Sequence, residues 1–404
     1  MSDPTQSAHP GAPRTRVALI VVAGGADALG AGEPTALHEA GTPALDRVAR
    51  DGHLGRVVLG APTCWAGFLG LLGQEPGVLA IGPAELRAAG VDAGGARWAA
   101  RADFVTVDSE RVLDAFGGGV GDPEAAALLD AVAAELALVG DVLAGARLVR
   151  LSGPRNVLLA HHELPPGLPA WHAGRRTLRS ALGADGPARA LFDVSHRALA
   201  AHDVNAVRLD LGENPANALW LHGAGPLGAA GPAQLAAPSW SAGRRVAIVS
   251  DGGAPSGVAA ALGWDAVEAA GDADALCAGA LEALTAHDCV VVRTSAALAA
   301  GLRAHDDVRG ARAAAFSELD ARLVGPLLGA LEESGPFVLA VAADGAFDAE
   351  SRTFSSEPVW CGVLASGGAG HGGTAFHERA CAEGARLDGP AAFSAFVEHA
   401  LHAD

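Results

Sequence analysis

The run Val17-Ala18-Leu19-Ile20-Val21-Val22 constrains the fold of this chain more than any other stretch. All six residues are apolar and four are β-branched. A strand can carry such side chains on both faces only where helices cover both, as in the middle of a parallel sheet. Ala23-Gly24-Gly25-Ala26-Asp27 follows and turns the chain at the strand's carboxyl end, where open α/β sheets place their ligands. Many enzymes built this way carry an acidic metal ligand or base as the first residue after such a strand. Here that residue is Ala23.

The rest of the chain alternates between the two periods. Thr42 to Arg50 reads as a helix that Thr42 can cap, with Pro43 in the first turn, and Gly55 to Leu59 reads as the returning strand. Ala61 to Gly73 reads as a turn feeding an apolar helix, and its unpaired amides suit a nucleophile or an anion near Cys64. From about Gly94 the character changes. Trp98–Val107 with Val112–Leu113 reads as a hairpin, Pro123–Val139 as a helix, and 146–151 with 156–160 as strands. A His-, Pro- and Gly-rich loop from His161 to Gly174, a helix Phe192–His202 and a strand Ala216–Leu221 complete this part. Alternation resumes with strands at 245–250, 289–294, 337–343 and 359–365. The intervening helices fall at 257–262, 273–287, about 307–331 and 391–402. The pattern predicts an α/β fold: a mostly parallel sheet flanked by helices, formed by 16–93 and 226–404, with an α+β domain inserted over 94–225. Residues 1–15, polar with Pro and Gly, are expected to be a disordered tail and not a signal peptide.

Composition removes several classes of function. The net charge is −18, with 28 Lys+Arg against 46 Asp+Glu, and no lysine at all, so a nucleic-acid partner is not expected. No run approaches the roughly 18 to 20 apolar residues of a membrane span. Cys64, Cys277, Cys289, Cys361 and Cys381 show no CxxC spacing and suggest free thiols in a reducing cytoplasm.

Several motifs then carry a resemblance. They are Gly24-Gly25 after the first strand, Thr42-Pro-Ala-Leu-Asp-Arg47, Leu71-Leu-Gly73 and Arg101-Ala-Asp-Phe-Val-Thr-Val-Asp108. Asn214-Pro-Ala-Asn-Ala218, Gly223-Ala-Gly225 and Phe376-His-Glu-Arg-Ala-Cys-Ala-Glu-Gly384 continue the set. In this order they resemble the archaeal-type cofactor-independent (2,3-bisphosphoglycerate-independent) phosphoglycerate mutases of the alkaline phosphatase superfamily, from about residue 16 to the C-terminus. The resemblance implies an alkaline-phosphatase-like core, an inserted substrate-side domain, and two divalent metals such as Mn or Zn held by Asp and His. It also implies a Ser or Thr nucleophile that is phosphorylated in the cycle.

Placed on this sequence, the family's first-strand aspartate falls on Ala23, its nucleophile on Cys64 and the following acid on Trp65. The Asp-x-x-x-His pair falls on Leu298 and Leu302, the later Asp-His pair on Asp344 and Gly345, and a further histidine near Phe354. An arginine-rich patch reads Ala115-Phe-Gly-Gly-Gly119, the core lysine position reads Ser256, and Arg293 stands where a histidine is usual. Cys64 is thus a candidate nucleophile and Asp344 a relic ligand or base. Arg101, Arg155, Asn214, Asn217 and Arg293 are candidate substrate-binding residues. His161, His162, His371 and His377 are candidates for a replacement metal or acid–base site.

The expectation is a phosphoglycerate-mutase-like protein whose two-metal site is degenerate, serving as a binding or partner pseudoenzyme or repurposed. No metal and no cofactor is expected. The occupant would be a small anionic or thioester-type ligand, or a protein partner. Two alternatives stay open: a metal-independent, Cys64-dependent acyl or group transferase or hydrolase in specialised metabolism, and an active metal-dependent mutase (isomerase).

Overall fold

A computed structural model describes residues 14–28, 34–60, 63–173, 176–228, 235–269, 272–304, 306–368, 370 and 372–402. Of the expected tail only Arg14 and Thr15 fall among them. The first strand, Arg16–Val22, lies inside an eight-stranded sheet. The spatial order is Asp265–Glu268, Val246–Ser250, Cys289–Thr294, Arg16–Val22, Phe337–Ala343, Val359–Ala365, His53–Val58 and Ala385–Asp388. Val359–Ala365 is antiparallel to both its neighbours, and every other pairing is parallel. Val17 to Val22 are completely buried, with Ile20 opposite Val292 on one side and Val341 on the other. Burying each such side chain contributes about 1.5 to 3 kcal/mol, so the run of apolar residues fixes the sheet's centre.

The region after residue 94 builds a separate, antiparallel, five-stranded sheet with its own apolar core. Trp98–Val107 is its axis, pairing with Asn156–Ala160 on one side and Ala218–Pro226 on the other. Helices Asp122–Leu136 and Pro187–Leu199 cover one face around Phe104, Leu128, Leu158, Leu191 and Leu219. Helix Ile81–Ala88 joins this sheet to the larger one and goes unseen in the sequence because Pro83 and Gly82 mask its period. Those small residues serve contact. A Cβ on Gly82 would sit 2.7 Å from the Ala99 carbonyl oxygen, and one on Gly257 would sit 2.0 Å from that of Ala84.

Other expectations shift for physical reasons. Thr42 makes no capping hydrogen bond with its side chain. The amides of Ala44 and Leu45 donate instead to the Asp320 carboxylate, at 2.9 and 2.8 Å. Asp320 can reach them because the expected 307–331 helix is Val308–Leu319, a π turn at Asp320–Val324, and Gly325–Ser334. The helix expected at 192–202 is Pro187–Leu199 followed by a second one, Asp203–Asp210. Ser295 to Leu302 is helical as Ala296–Arg303, and the 257–262 helix begins earlier, at Ala254. Among the described residues, no helix is long and apolar enough to cross a membrane.

Candidate functional site

The strands ending at Val22, Thr294 and Ala343 deliver Ala23, Ser295 and Asp344 to one edge of the large sheet. Gly24 turns there with φ +57° and donates its amide to Asp344 Oδ1 at 2.8 Å. Arg312, fully buried, fixes the turn from behind. It bonds the Asp27 carboxylate at 2.8 to 3.0 Å and the carbonyls of Gly24 and Gly25 at 2.9 and 3.3 Å. Glu378 lies on the same network, accepting from the Asp27 amide and the Thr35 hydroxyl. Burial, and then the neighbouring Asp27 charge, push its carboxyl up to about 7. No local pattern flags Arg312 or Glu378, because their partners are remote in sequence.

Cys64 opens helix Cys64–Leu71, which Thr63 caps by accepting the Ala66 amide at 3.2 Å. Gly67 lets this helix lie directly against the Asp344 backbone: a Cβ there would come within 1.7 Å of the Asp344 carbonyl oxygen. Cys64 and Asp344 are therefore neighbours. Their chemistry differs from the expectation of a thiolate favoured by the helix start. Burial, and then the Asp344 charge, raise the Cys64 thiol well above its ordinary value, against the pull of Arg293. A helix terminus contributes about 0.3 to 1 kcal/mol, which desolvation outweighs.

Asp344 is itself completely buried. Arg293 donates to its Oδ2 through Nη2 at 2.9 Å and Nε at 3.3 Å, and the Gly24 amide holds Oδ1. Burial raises this carboxyl from its usual range, while Arg293 and the amide oppose the rise. Around the pair stand Ala23, Leu298, Phe347 and Phe354, a continuous apolar cluster against which Trp171 and Leu302 pack.

The cleft that runs outward from this point has a volume of about 600 Å³ and is bounded on its far side by the smaller sheet. There Arg101 forks onto Asp103 with two contacts of 2.8 Å and reaches Glu85 at 2.6 Å. Asp103 also takes His222 Nε2 at 2.9 Å. Burial works against the Asp103 charge, yet Arg101 and then His222 bring this carboxyl down to about 2. Arg155 bonds the Ser152 hydroxyl and lies 3.8 Å from Glu85. A loop carrying Pro166 to His172 closes over the cleft, and its His172 ring stacks on Phe354 at 5.1 Å between centroids. Burial, and then His222 and Arg176, lower His172 to about 4.

Of the residues proposed from sequence, Cys64, Arg101, Arg155 and Arg293 line the cleft, and Asp344 lies behind Arg293. Asn214 and Asn217 do not line it. Asn217 clamps Val107 through both its oxygen and its nitrogen at 2.8 Å, and Asn214 is exposed beside Asp114. His377 caps helix Glu378–Glu383 and packs on His38, while His161 is exposed and His162 half-buried. His371 lies outside the described residues. Among the described residues, no three His, Cys, Asp or Glu side chains converge as a metal-holding group. His222, Asp103 and Glu85 are not among the residues proposed from sequence, although Asp103 lies within the Arg101–Asp108 motif and His222 precedes Gly223-Ala-Gly225.

No family model matches the chain. Among characterised proteins it is 29% identical over 350 residues to the 2,3-bisphosphoglycerate-independent phosphoglycerate mutase of Methanosarcina mazei, covering 81% of this chain and 84% of the relative. The protein of that name in Methanothrix thermoacetophila is 29% identical over 376 residues, covering 87% and 91%. Among solved structures, a Pyrococcus horikoshii protein matches with a TM-score of 0.67 at 20% identity, covering 97% of this chain and 99% of that one. The cofactor-independent phosphoglycerate mutase of Thermoplasma acidophilum matches at a TM-score of 0.52 and 21% identity, covering 95% and 99%.

These relatives overturn the expectation that no cofactor is involved. They bear the name of a family that works with divalent metals, manganese among them, so kinship implies metal. The residues at the matching place do not fit a two-metal centre. Both oxygens of Asp344 are engaged by Arg293 and the Gly24 amide, and the side chains packed round the pair, Ala23, Leu298, Phe347 and Phe354, carry no donor oxygen or imidazole. No reaction step is therefore routed through a metal there.

Proposed function

We propose that this chain, a homologue of the 2,3-bisphosphoglycerate-independent phosphoglycerate mutases, binds a small molecule in its cleft and does not interconvert phosphoglycerates. The observation that carries the reading is the Arg293–Asp344 pair. In a two-metal site the cations would hold this carboxylate, lower the nucleophile's pKa and neutralise the transferring phosphoryl group. Here a guanidinium holds it, and the residue in the nucleophile's place is a thiol kept neutral by burial and by Asp344. A neutral, enclosed thiol is a poor nucleophile, which also argues against a Cys64-dependent transferase.

The cleft itself persists, and its form supports binding. Concave sites of roughly 300 to 1,000 Å³ lined by apolar side chains and a few polar groups are the usual places for small ligands. The five cysteines are buried and free, in keeping with a reducing cytoplasm, and a role in specialised metabolism fits a retained pocket with altered chemistry.

An enolase-coupled assay at high protein concentration, with and without added manganese, should detect no interconversion of 2- and 3-phosphoglycerate. Turnover in the usual range of about 1 to 10³ per second overturns the reading. Elemental analysis of wild type and Asp344→Asn should give equal metal content, since Arg293 already holds this carboxylate.

A further inference from the structure

The cleft's charges are almost all spent on one another. Arg101 is committed to Asp103 and Glu85, and Arg293 to Asp344. Arg155 shares Glu85 and bonds Ser152, while Asp251 adds a further acid to the lining. A phosphate or other dianion entering here would meet guanidinium groups already neutralised and carboxylates that repel it. Most of the exposed wall is apolar instead: Leu79, Ile81, Phe116, Trp171, Leu298 and Leu302.

Two polar atoms of residues lining the cleft are buried without a partner among the described residues. They are the indole Nε1 of Trp171 and the Nδ1 of His222, whose rings stand 6.2 Å apart. His222 is 1% exposed. Its Nε2 faces a carboxylate that Arg101 holds ionised, and an ionised carboxylate only accepts, so Nε2 carries the ring's proton. In the neutral ring Nδ1 is then an acceptor, while Trp171 Nε1–H is a donor. Buried polar atoms of this kind are normally satisfied, and unmet ones beside a cavity mark what its occupant supplies.

We propose that the cleft binds an uncharged, ring-containing and largely apolar small molecule whose polar end carries both a hydrogen-bond acceptor and a donor, as a phenolic hydroxyl or a carboxamide does. The acceptor takes the Trp171 N–H and the donor meets His222 Nδ1. The apolar body lies between Phe116 and the Leu79–Ile81 side, against Leu298. This deepens the binding reading above and rests on it.

Calorimetric titration of the whole chain with 2-naphthol, naphthalene, inorganic phosphate and 3-phosphoglycerate tests it. Saturable, one-site binding of 2-naphthol is expected, with naphthalene weaker by about tenfold, the scale of one well-placed hydrogen bond. Trp171→Phe keeps the ring and loses the donor, so it should remove most of that tenfold difference while leaving naphthalene unchanged. Leu302→Trp fills the apolar side and should abolish binding of both. Saturable binding of phosphate or 3-phosphoglycerate without 2-naphthol overturns the ligand class and leaves the binding function standing. Equal affinity of Trp171→Phe for 2-naphthol, or unchanged binding by Leu302→Trp, overturns the assigned site. Binding of none of the four probes overturns the inference, and the phosphoglycerate assay separately decides the function.

Discussion

Two buried arginine–aspartate pairs stand at the same edge of the large sheet and have different consequences. In Arg312 with Asp27 the guanidinium is the enclosed partner, at 0% exposure against 12% for the Asp27 side chain: it also bonds three backbone carbonyls, those of Gly24, Gly25 and Ala297, so nearly all its donors are used. Arg293 with Asp344 is enclosed at the carboxylate and open at the guanidinium, which borders the cleft and lies over the Phe68 ring at 5.1 Å. Breaking a buried pair by removing one partner strands the other charge, and the penalty depends on whether water can reach it. The first pair holds the glycine turn in place. The second fills a site.

The largest effect is therefore expected from Arg312→Leu, which strands Asp27 and three carbonyls together. Chemical denaturation should show a loss of about 3 to 5 kcal/mol, or no folded protein at all. Arg293→Met should lose less, about 1 to 3 kcal/mol, because the adjoining cleft can admit water and Asp344 can take up a proton. Adding Asp344→Asn to Arg293→Met should recover part of that loss. If it recovers nothing, the two residues are not coupled and the contrast between the pairs fails.

Glu378 sharpens the comparison through pH, since it sits against Asp27 and has no counterpart near Asp344. Its ordinary value is 4.5, and the folded state holds it at about 7. Between those values the folded chain binds more protons than the unfolded one. Its stabilising contribution is thus full below 4.5 and is lost as pH rises through 7. Glu378→Gln should flatten this slope, by an amount on the order of 3 kcal/mol across the window at about 1.4 kcal/mol per unit. A wild-type curve already flat there would place the carboxyl elsewhere.

His172 gives the smallest effect at neutral pH, and its pH dependence has the opposite sign. With an ordinary value of 6.5 and a folded value of about 4, it binds fewer protons when folded. Its contribution is present above 6.5 and is lost as pH falls through 4. His172→Phe, which keeps the stack on Phe354, should remove that acid sensitivity and change stability at neutral pH by less than about 1 kcal/mol.

How far the sequence speaks follows from where each residue finds its partners. The central strand, the turn after it and the meeting of Cys64 with Asp344 are legible. Buried parallel strands are uniformly apolar, and the fold alone fixes what lies at their carboxyl ends. Ala23, Leu298 and Phe354 form one contiguous apolar cluster with Leu302 packed against it. The role of Asn217 is not legible, because a clamp on Val107 and a ligand contact ask for the same side chain. Nor is the cap on the helix at Pro43: Thr42 has the right chemistry, yet a carboxylate from a distant π turn takes both amides. Cys64 shows the limit for chemistry. A helix start argues for a thiolate, and only the enclosing structure reveals that desolvation and an adjacent acid outweigh it.

The stack of His172 on Phe354 joins the loop of the smaller sheet to the floor of the larger one. For anything that passes beneath that loop, the contact acts on time more than on affinity. Where entry and exit pass beneath this loop, association and release share one gate. Weakening the stack would speed both in proportion and leave the equilibrium nearly where it was. A slow exchange that quickens without a change in Kd would be the kinetic signature of this single aromatic contact.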